Sequence, residues 1–235
     1  MKTVNSNQSS VGTQNTENRN ENADSRLLTF DFRLYLITDR KLFNSRCALY
    51  FALDEALSAG AKAIQLREKD LPTLELLEIA SWLRELTKEY GAKLFINNSV
   101  DIALAVGADG VHLSQKSMPA YTVRKVSGSN KFLIGCSTHS IDEALKAVRE
   151  GTDFITLGPV YETPSKLGYG APIGIGAIKK VKSLVSIPVF AIGGIKPDKV
   201  QEVKEAGADG VALISAVLTA KNIKETTKEF LRLLK

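Results

Sequence analysis

Four ten-residue segments with the same side-chain pattern recur along the chain, and this repeat constrains the fold more than any other feature of the sequence. Each has a glycine, then a small or polar pair, then a short apolar run. The segments are SAGAKAIQLR (58–67), AVGADGVHLS (105–114), REGTDFITLG (149–158) and EAGADGVALI (205–214). Glycine often ends a helix because it adopts left-handed dihedrals without a side-chain clash. The repeat therefore predicts a helix end followed by a buried strand, four times over. The glycines concerned are Gly60, Gly107, Gly151 and Gly207.

Four further apolar runs lie between the repeated segments and bring the number of predicted strands to eight. They are residues 33–38, 93–97, 132–136 and 187–193. Amphipathic segments predicted as helices separate the strands: 47–59, 73–90, 99–106, 119–127, 140–150, 174–185, 197–206 and 222–234. Strands that alternate strictly with helices must pair in parallel, because each helix carries the chain back across the sheet. Eight units in about 205 residues predict an α/β fold, a single (β/α)8 TIM barrel, with a doubly wound sheet of eight strands as the alternative.

The N-terminal segment has a different composition from the rest of the chain. Residues 1–28 are rich in Asn, Ser, Thr, Gln and Glu and carry almost no apolar side chains. Ordering such a segment would cost backbone entropy with little burial in return. We expect a disordered polar tail over 1–28 and one barrel domain over 29–235.

Charge, hydropathy and cysteine content exclude several classes of protein. The formal net charge is +5, but many lysines lie in helix-like segments where they are expected to face solvent, and no cluster of basic and aromatic residues predicts nucleic-acid binding. No apolar run is long enough to span a bilayer, and no secretory signal is evident. Two distant cysteines, Cys47 and Cys136, do not form a disulfide framework, so we expect a cytoplasmic protein with both thiols buried. The sequence leaves the oligomeric state open, a homo-oligomer included.

Polar residues follow the predicted strands at the ends where a barrel of this type carries its chemistry. After strands seven and eight, AIGGIKPD (191–198) and ALISAV (212–217) predict a phosphate site built from Gly193, Gly194, Ile214 and Ser215. Glycines let backbone N–H groups approach an anion, and a helix N-terminus adds positive potential. The alternative is that the two glycines only turn the chain.

Two other segments carry cations and hydroxyl groups. GPVYETPSKLGYG (158–170) offers Thr163, Ser165 and Lys166, which suit a second phosphate or a pyrophosphate; an ordinary surface loop is the alternative. IQLREKD places Arg67 and Lys69 on one face of an extended segment, directed either into the barrel or to solvent.

The chain has two histidines, His112 and His139. His139 precedes SIDE, a capping box with Ser140 as N-cap and Glu143 as its partner. Histidine transfers protons near neutral pH, so His139 is a candidate general acid or base, with a hydrogen-bonded loop histidine as the alternative. His112 lies between two apolar residues of a predicted strand, and we interpret it as structural.

These motifs, in order, resemble the thiamine-phosphate synthase and TenI-type family. The segments that carry the resemblance between about residues 33 and 220 are LYLITD, IQLREK, FINN, GADGVHLSQ, IGCSTH, GPVYETPSK, PVFAIGGI and GADGVALISAV. The resemblance implies a β/α barrel that handles thiazole phosphate, with Ser215 and the IGGI glycines near the phosphate. It also implies a pyrimidine and pyrophosphate region formed by Gln65, Arg67, Lys69, Asn97, Ser137, Thr163, Ser165 and Lys166, with Asn98 beside it.

The family contains two activities. Synthases join thiazole phosphate to a pyrimidine methyl pyrophosphate with the help of Mg²⁺, and TenI-type members aromatise thiazole carboxylate phosphate by moving a proton. The resemblance assigns the magnesium aspartates of synthases to positions 98 and 117, which are Asn98 and Ser117 in this chain, with Lys116 alongside. Amide and hydroxyl oxygens compete poorly with water for Mg²⁺.

We therefore expect a thiazole tautomerase that needs no metal or other cofactor, with His139 and Lys69 as the catalytic candidates. The first alternative is a thiamine-phosphate synthase, which would use Mg²⁺ and would also bind the pyrimidine pyrophosphate. The second is a non-catalytic protein that binds thiazole or thiamine phosphate.

Overall fold

The computed structural model describes residues 30–163 and 171–235. The predicted tail, 1–28, lies outside the described residues. Ser165 and Lys166, two residues of the predicted site, also lie outside them.

Eight parallel strands close into a barrel in chain order, which confirms the predicted TIM barrel and excludes the doubly wound sheet. The strands are β1 (Leu34–Ile37), β2 (Ala63–Leu66), β3 (Lys93–Asn97), β4 (Gly110–Leu113), β5 (Leu133–Thr138), β6 (Phe154–Leu157), β7 (Val189–Ile192) and β8 (Gly210–Leu213). Strand β8 pairs with β1 through Leu34, Tyr35 and Leu36, and this pairing closes the barrel.

Helices follow the strands at the predicted places. They are α1 (Arg46–Ser58), α2 (Thr73–Glu89), α3 (Val100–Ala105), α4 (Ala120–Ser127), α5 (Ile141–Arg149), α6 (Gly174–Lys182), α7 (Val200–Glu205), α8 (Ser215–Leu218) and α9 (Ile223–Leu233). The segment predicted as a helix over 197–206 begins as a 3₁₀ turn, Pro197–Lys199, because proline occupies its first position. The short helix α8 after β8 was not among the predicted helices.

Strand residues alternate between two apolar cores. One face of each strand packs against the surrounding helices, as Leu34 and Leu36 do in β1. The other face points into the barrel, where Tyr35, Phe95 and Phe154 form edge-to-face contacts with ring centroids 5.3 to 5.6 Å apart. These rings fill the interior, so any ligand must bind above them.

An aspartate in three of the four repeats ties each strand to its neighbour at the end opposite the predicted site. Oδ2 of Asp153 accepts a hydrogen bond from the backbone N–H of Ile134 at 2.7 Å and pairs with Arg124 at 2.5 Å. Asp109 and Asp209 make the same two kinds of contact, with Leu94 and Arg84 and with Val189 and Lys182. The repeated polar position therefore stabilises the barrel and carries no part of the site.

Two expectations from composition have different outcomes. Within residues 30–163 and 171–235, no helix is both long and apolar enough to cross a bilayer. Cys136 is buried as predicted, but the prediction for Cys47 was wrong, because it lies in the first turn of α1 with its side chain exposed.

Candidate active site

A cavity of about 460 Å³ opens at the carboxyl ends of the strands. That volume suits a small ligand with one or two phosphate groups, within the range of about 300–1,000 Å³ typical of ligand sites. The predicted site residues that line it are Gln65, Arg67, Ser137, His139, Thr163, Gly193, Gly194, Ile214 and Ser215. Predicted residues from five of the eight strand ends, those of β2, β5, β6, β7 and β8, therefore meet at one opening.

On one side of the cavity, the ends of β2 and β3 are joined by side-chain amides. Nε2 of Gln65 donates to Oδ1 of Asn97 at 3.2 Å, and Gln65 is buried in the cavity wall. Asn97 does not line the cavity itself but fixes the orientation of Gln65. An oriented amide presents a donor and an acceptor in known directions, which suits recognition of a polar ring.

Arg67 points into the cavity, and a buried carboxylate holds the loop that carries it. The backbone N–H of Arg67 donates to Oγ1 of Thr38 at 2.9 Å, and that hydroxyl donates to Glu68 at 2.7 Å. Glu68 is only 6% exposed and also accepts from the backbone N–H of Arg40 at 3.1 Å. Burial raises the pKa of the Glu68 carboxyl, and the hydrogen bonds from Thr38 and Arg40 oppose that shift.

His112 lies in the floor of the cavity, beneath the polar walls. Its Nε2 is 3.0 Å from Oγ of Ser137, and its Nδ1 is 3.4 Å from the Tyr35 hydroxyl. Complete burial, with a smaller contribution from the positive charge of Arg67, lowers the pKa of His112 to about 3. A neutral imidazole therefore orients the Ser137 hydroxyl at neutral pH, as a structural histidine would.

His139 stands on the wall of the cavity and is held by Glu143. Oε2 of Glu143 accepts hydrogen bonds from the backbone N–H of His139 at 2.7 Å and from its Nδ1 at 2.9 Å. Ser140 caps α5 by accepting from the N–H of Glu143, as predicted, but Glu143 reaches back to residue 139 rather than to the N-cap. A carboxylate on Nδ1 favours the tautomer in which neutral His139 has an unprotonated Nε2, a group able to accept a proton.

The far side of the cavity is built from the glycine pair after β7 and the start of α8. Gly193 and Gly194 have φ values of +98° and +68°. A Cβ on Gly194 would lie 2.5 Å from the carbonyl oxygen of Glu162, so the loops after β6 and β7 pack too closely for any other residue. Lys196 follows the pair and lines the same cavity as Ser215 and Thr219. Small residues, hydroxyl groups and one ammonium group are a suitable set for a phosphate.

Asn98 and Ser117 lie together beside the cavity, where they tie the end of β3 to the loop after β4. The Ser117 hydroxyl donates a short hydrogen bond to Oδ1 of Asn98, and the same oxygen accepts from the N–H of Ser114 at 2.9 Å. The Ser114 hydroxyl lies 2.9 Å from that of Ser117. Asn98 has a φ of +60°, a left-handed conformation that asparagine tolerates better than most residues.

A sequence model described as thiamine monophosphate synthase matches residues 34–217. The chain belongs to that family. A putative thiamine-phosphate synthase from Geobacter sulfurreducens is 50% identical over 204 residues, which is 87% of this chain and 95% of that protein. The thiamine-phosphate synthase of Clostridium acetobutylicum is 41% identical over 84% of this chain and 92% of its own length.

Solved structures give the same result. The thiamine phosphate pyrophosphorylase of Pyrococcus furiosus superposes with a TM-score of 0.78 at 40% identity, covering 88% of this chain and 97% of its own. A 3-hexulose-6-phosphate synthase superposes with a TM-score of 0.65 at 17% identity, which shows the barrel fold alone.

The resemblance to synthases implies magnesium-binding aspartates at positions 98 and 117. This member of the thiamine monophosphate synthase family has Asn98 and Ser117 there instead. The side chains at the two positions are in direct contact in the structure. Their oxygens are neutral, however, and they already take part in hydrogen bonds with each other and with Ser114. No cluster of three or more His, Cys, Asp or Glu side chains that could hold a metal occurs within residues 30–163 and 171–235. The residues present do not fit a protein-bound Mg²⁺ at this place.

Not every predicted site residue lies at the cavity. Lys69 is exposed and does not line it, and Asn97 and Asn98 lie behind or beside it. Sequence reasoning missed Lys196, Glu162 and the buried Glu68. Lys196 could have been found from its place two residues after the glycine pair, whereas Glu68 lies in a run of charged residues that is typical of a solvated loop.

Proposed function

We propose that this protein is a thiamine-phosphate synthase, which joins thiazole phosphate to a pyrimidine methyl pyrophosphate. The observation that carries the proposal is the similarity to relatives named thiamine-phosphate synthase or putative thiamine-phosphate synthase, which are 40% to 50% identical over more than four fifths of the chain. They favour the synthase over the tautomerase that the sequence analysis ranked first.

The distribution of polar groups in the cavity supports two substrates bound side by side. Gly193, Gly194 and Ser215, with Ile214 at the end of β8 and Lys196 nearby, would hold the phosphate of the thiazole. On the other side, Gln65 and Ser137 would orient the pyrimidine, each already fixed by a neighbouring side chain. Arg67 would hold the pyrophosphate, with Thr163 and, outside the described residues, Ser165 and Lys166.

In the reaction, the ring nitrogen of the thiazole forms a bond to the methylene carbon of the pyrimidine, and the bond from that carbon to the pyrophosphate oxygen breaks. The bonding electrons leave with pyrophosphate, so negative charge develops on the group that Arg67 would hold. A guanidinium group placed there before the reaction stabilises that charge. No proton transfer to or from the thiazole is needed.

The tautomerase remains a second candidate because of one observation, the His139 and Glu143 pair. A neutral imidazole whose Nδ1 is held by a carboxylate is suited to accept a proton at Nε2. The same cavity would bind thiazole carboxylate phosphate through its phosphate end.

The test supplies the purified protein with each substrate set in a separate reaction and identifies the products by mass spectrometry. Formation of thiamine phosphate with an equal amount of pyrophosphate supports the synthase. Aromatised thiazole carboxylate phosphate without any thiamine phosphate supports the tautomerase. A protein that binds thiazole phosphate in calorimetry but forms neither product would be a non-catalytic binder, and the proposal would be wrong.

A further inference from the structure

We propose, on the basis of the proposed function, that this protein binds the pyrophosphate group without a Mg²⁺ held by the residues at positions 98 and 117. The proposal rests on the hydrogen-bonded cluster of Asn98, Ser114 and Ser117. These residues form a closed neutral structure in place of two metal-binding carboxylates.

Oδ1 of Asn98 and Oγ of Ser117 each already accept hydrogen bonds on both lone pairs. A carboxamide oxygen has two lone pairs, and Oδ1 of Asn98 accepts two hydrogen bonds, from the N–H of Ser114 and the hydroxyl of Ser117. Oγ of Ser117 accepts from the N–H of Ser114 at 3.0 Å and lies 2.9 Å from the Ser114 hydroxyl. Because the Ser117 hydroxyl donates its proton to Asn98, the Ser114 hydroxyl donates to Ser117. A cation could reach either oxygen only by breaking these hydrogen bonds.

The orientation of the Asn98 amide follows from the same contacts. The N–H of Ser114 can only donate, so the Asn98 atom that faces it is the oxygen and not the nitrogen. The NH₂ group therefore points away from the cluster, and Asn98 is exposed. This NH₂ group is a hydrogen-bond donor, which suits an anion and repels a cation.

The nearby charges agree with direct binding of an anion. Lys116 directly precedes Ser117 and is exposed, and Arg67 and Lys196 line the cavity. The carboxylates that line the described part of the cavity are Asp39 and Glu162, in the loops after β1 and β6. Asp39 accepts a hydrogen bond from the N–H of Lys41 and caps the turn after β1. The groups at the ends of β3 and β4 are thus neutral or positive.

The test measures the binding of inorganic pyrophosphate to the full chain by calorimetry, with millimolar Mg²⁺ and with a chelator in its place. The key variant is the double substitution Asn98→Asp with Ser117→Asp, which supplies the two missing carboxylates. Aspartate tolerates the left-handed conformation at position 98, and circular dichroism would verify the fold. Ser99→Asp is the matched control, since it adds a carboxylate one residue away from the cluster.

For the natural sequence, we expect the dissociation constant of pyrophosphate to change less than about threefold between the two conditions, because positions 98 and 117 offer no carboxylate to bind Mg²⁺. In the double variant, binding should weaken at least about tenfold in the chelator and recover with Mg²⁺, while Ser99→Asp follows the natural sequence. A tenfold or greater gain on adding Mg²⁺ to the natural protein would overturn the proposal, as would the absence of pyrophosphate binding in both conditions. This experiment measures binding alone, so its outcome is separate from that of the product assay.

Discussion

Oδ1 of Asn98 accepts a hydrogen bond from the Ser117 hydroxyl across 19 residues of sequence. The contact joins the carboxyl ends of two neighbouring strands, β3 and β4, at the rim of the barrel. The two residues occupy the positions that the resemblance to synthases assigns to magnesium ligands. Their pairing ties the two strand ends together directly, since each side chain satisfies a hydrogen-bonding group of the other.

The backbone at Asn98 gives a first prediction. Its φ of +60° costs a residue with an ordinary Cβ about 1–2 kcal/mol, and glycine avoids that cost. Asn98→Ala and Asn98→Gly both lose the amide contacts. The difference between their free energies of unfolding therefore reports the cost of the left-handed backbone conformation alone. We expect Asn98→Ala to be less stable than Asn98→Gly by about 1 kcal/mol in urea unfolding. Equal stabilities would mean that the left-handed conformation is not kept in solution.

The glycine pair after β7 gives a second prediction, on stability and phosphate binding together. Gly194→Ala combines a φ of +68° with a Cβ that would lie 2.5 Å from the Glu162 carbonyl oxygen. We expect it to lose about 2–3 kcal/mol of stability and to weaken binding of thiazole phosphate, because the loops must separate. Gly107→Ala is the control, since it has a φ of +62° and nothing within 4 Å of the new Cβ. It should cost about 1 kcal/mol and leave binding unchanged; similar effects from both variants would argue against close loop packing as the cause.

The lowered pKa of the buried His112 predicts that the stability of the protein depends on pH. Burial lowers its pKa from 6.5 to about 3, so between these values the unfolded chain binds a proton that the folded chain does not. The contribution is fully present above pH 6.5 and is lost as pH falls towards 3, at up to about 1.4 kcal/mol per pH unit. In urea unfolding, the free energy of unfolding should therefore depend less steeply on pH for His112→Gln than for the natural protein, by close to one proton near about pH 5 and by less as the pH approaches about 7. Identical slopes for the variant and the natural protein would contradict the buried neutral imidazole.

His139 separates the two candidate reactions. Coupling of thiazole phosphate to the pyrimidine requires no proton transfer from the thiazole, whereas aromatisation requires one. We expect His139→Ala to lower the coupling rate by less than about tenfold and to lower any proton-shift rate by about 10²–10⁴. Rates measured on one preparation with both substrate sets check this. If coupling falls as steeply as the proton shift, His139 takes part directly in coupling; if neither falls, it is a loop histidine.

Local patterns were sufficient to predict the barrel from the sequence. A glycine that ends a helix, followed by a buried strand, is a short-range signal, and four copies of it fixed the order of the elements. The aspartate in three of the four repeats has a structural role that sequence reasoning did not identify. Asp153 and its counterparts bind backbone and side-chain partners from other parts of the chain, and only the closed barrel brings those partners together.

The site was predictable where its residues directly follow strands, as Gln65 and Ser215 do. Glu162 lines the cavity because the loops after β6 and β7 pack against each other, a long-range arrangement without a local signal, whereas Lys196 has a local signal in the glycine pair that precedes it. Glu68 is buried because Thr38 and Arg40 reach it from the loop after β1. The prediction that Arg67 and Lys69 share one face was wrong, because β2 ends at Leu66 and the alternation of an extended strand does not continue to Lys69: Arg67 lines the cavity, whereas Lys69 is exposed and does not.

The most direct test of the proposed function compares the catalytic efficiencies of the two reactions in one preparation of the purified protein. The measurement is kcat/KM for coupling, from pyrophosphate release, and kcat/KM for the proton shift on thiazole carboxylate phosphate, from absorbance of the aromatic product. A synthase should form thiamine phosphate and pyrophosphate in equal amounts, with an efficiency at least about a hundredfold above that of the proton shift. Rapid aromatisation of thiazole carboxylate phosphate without any thiamine phosphate would contradict it.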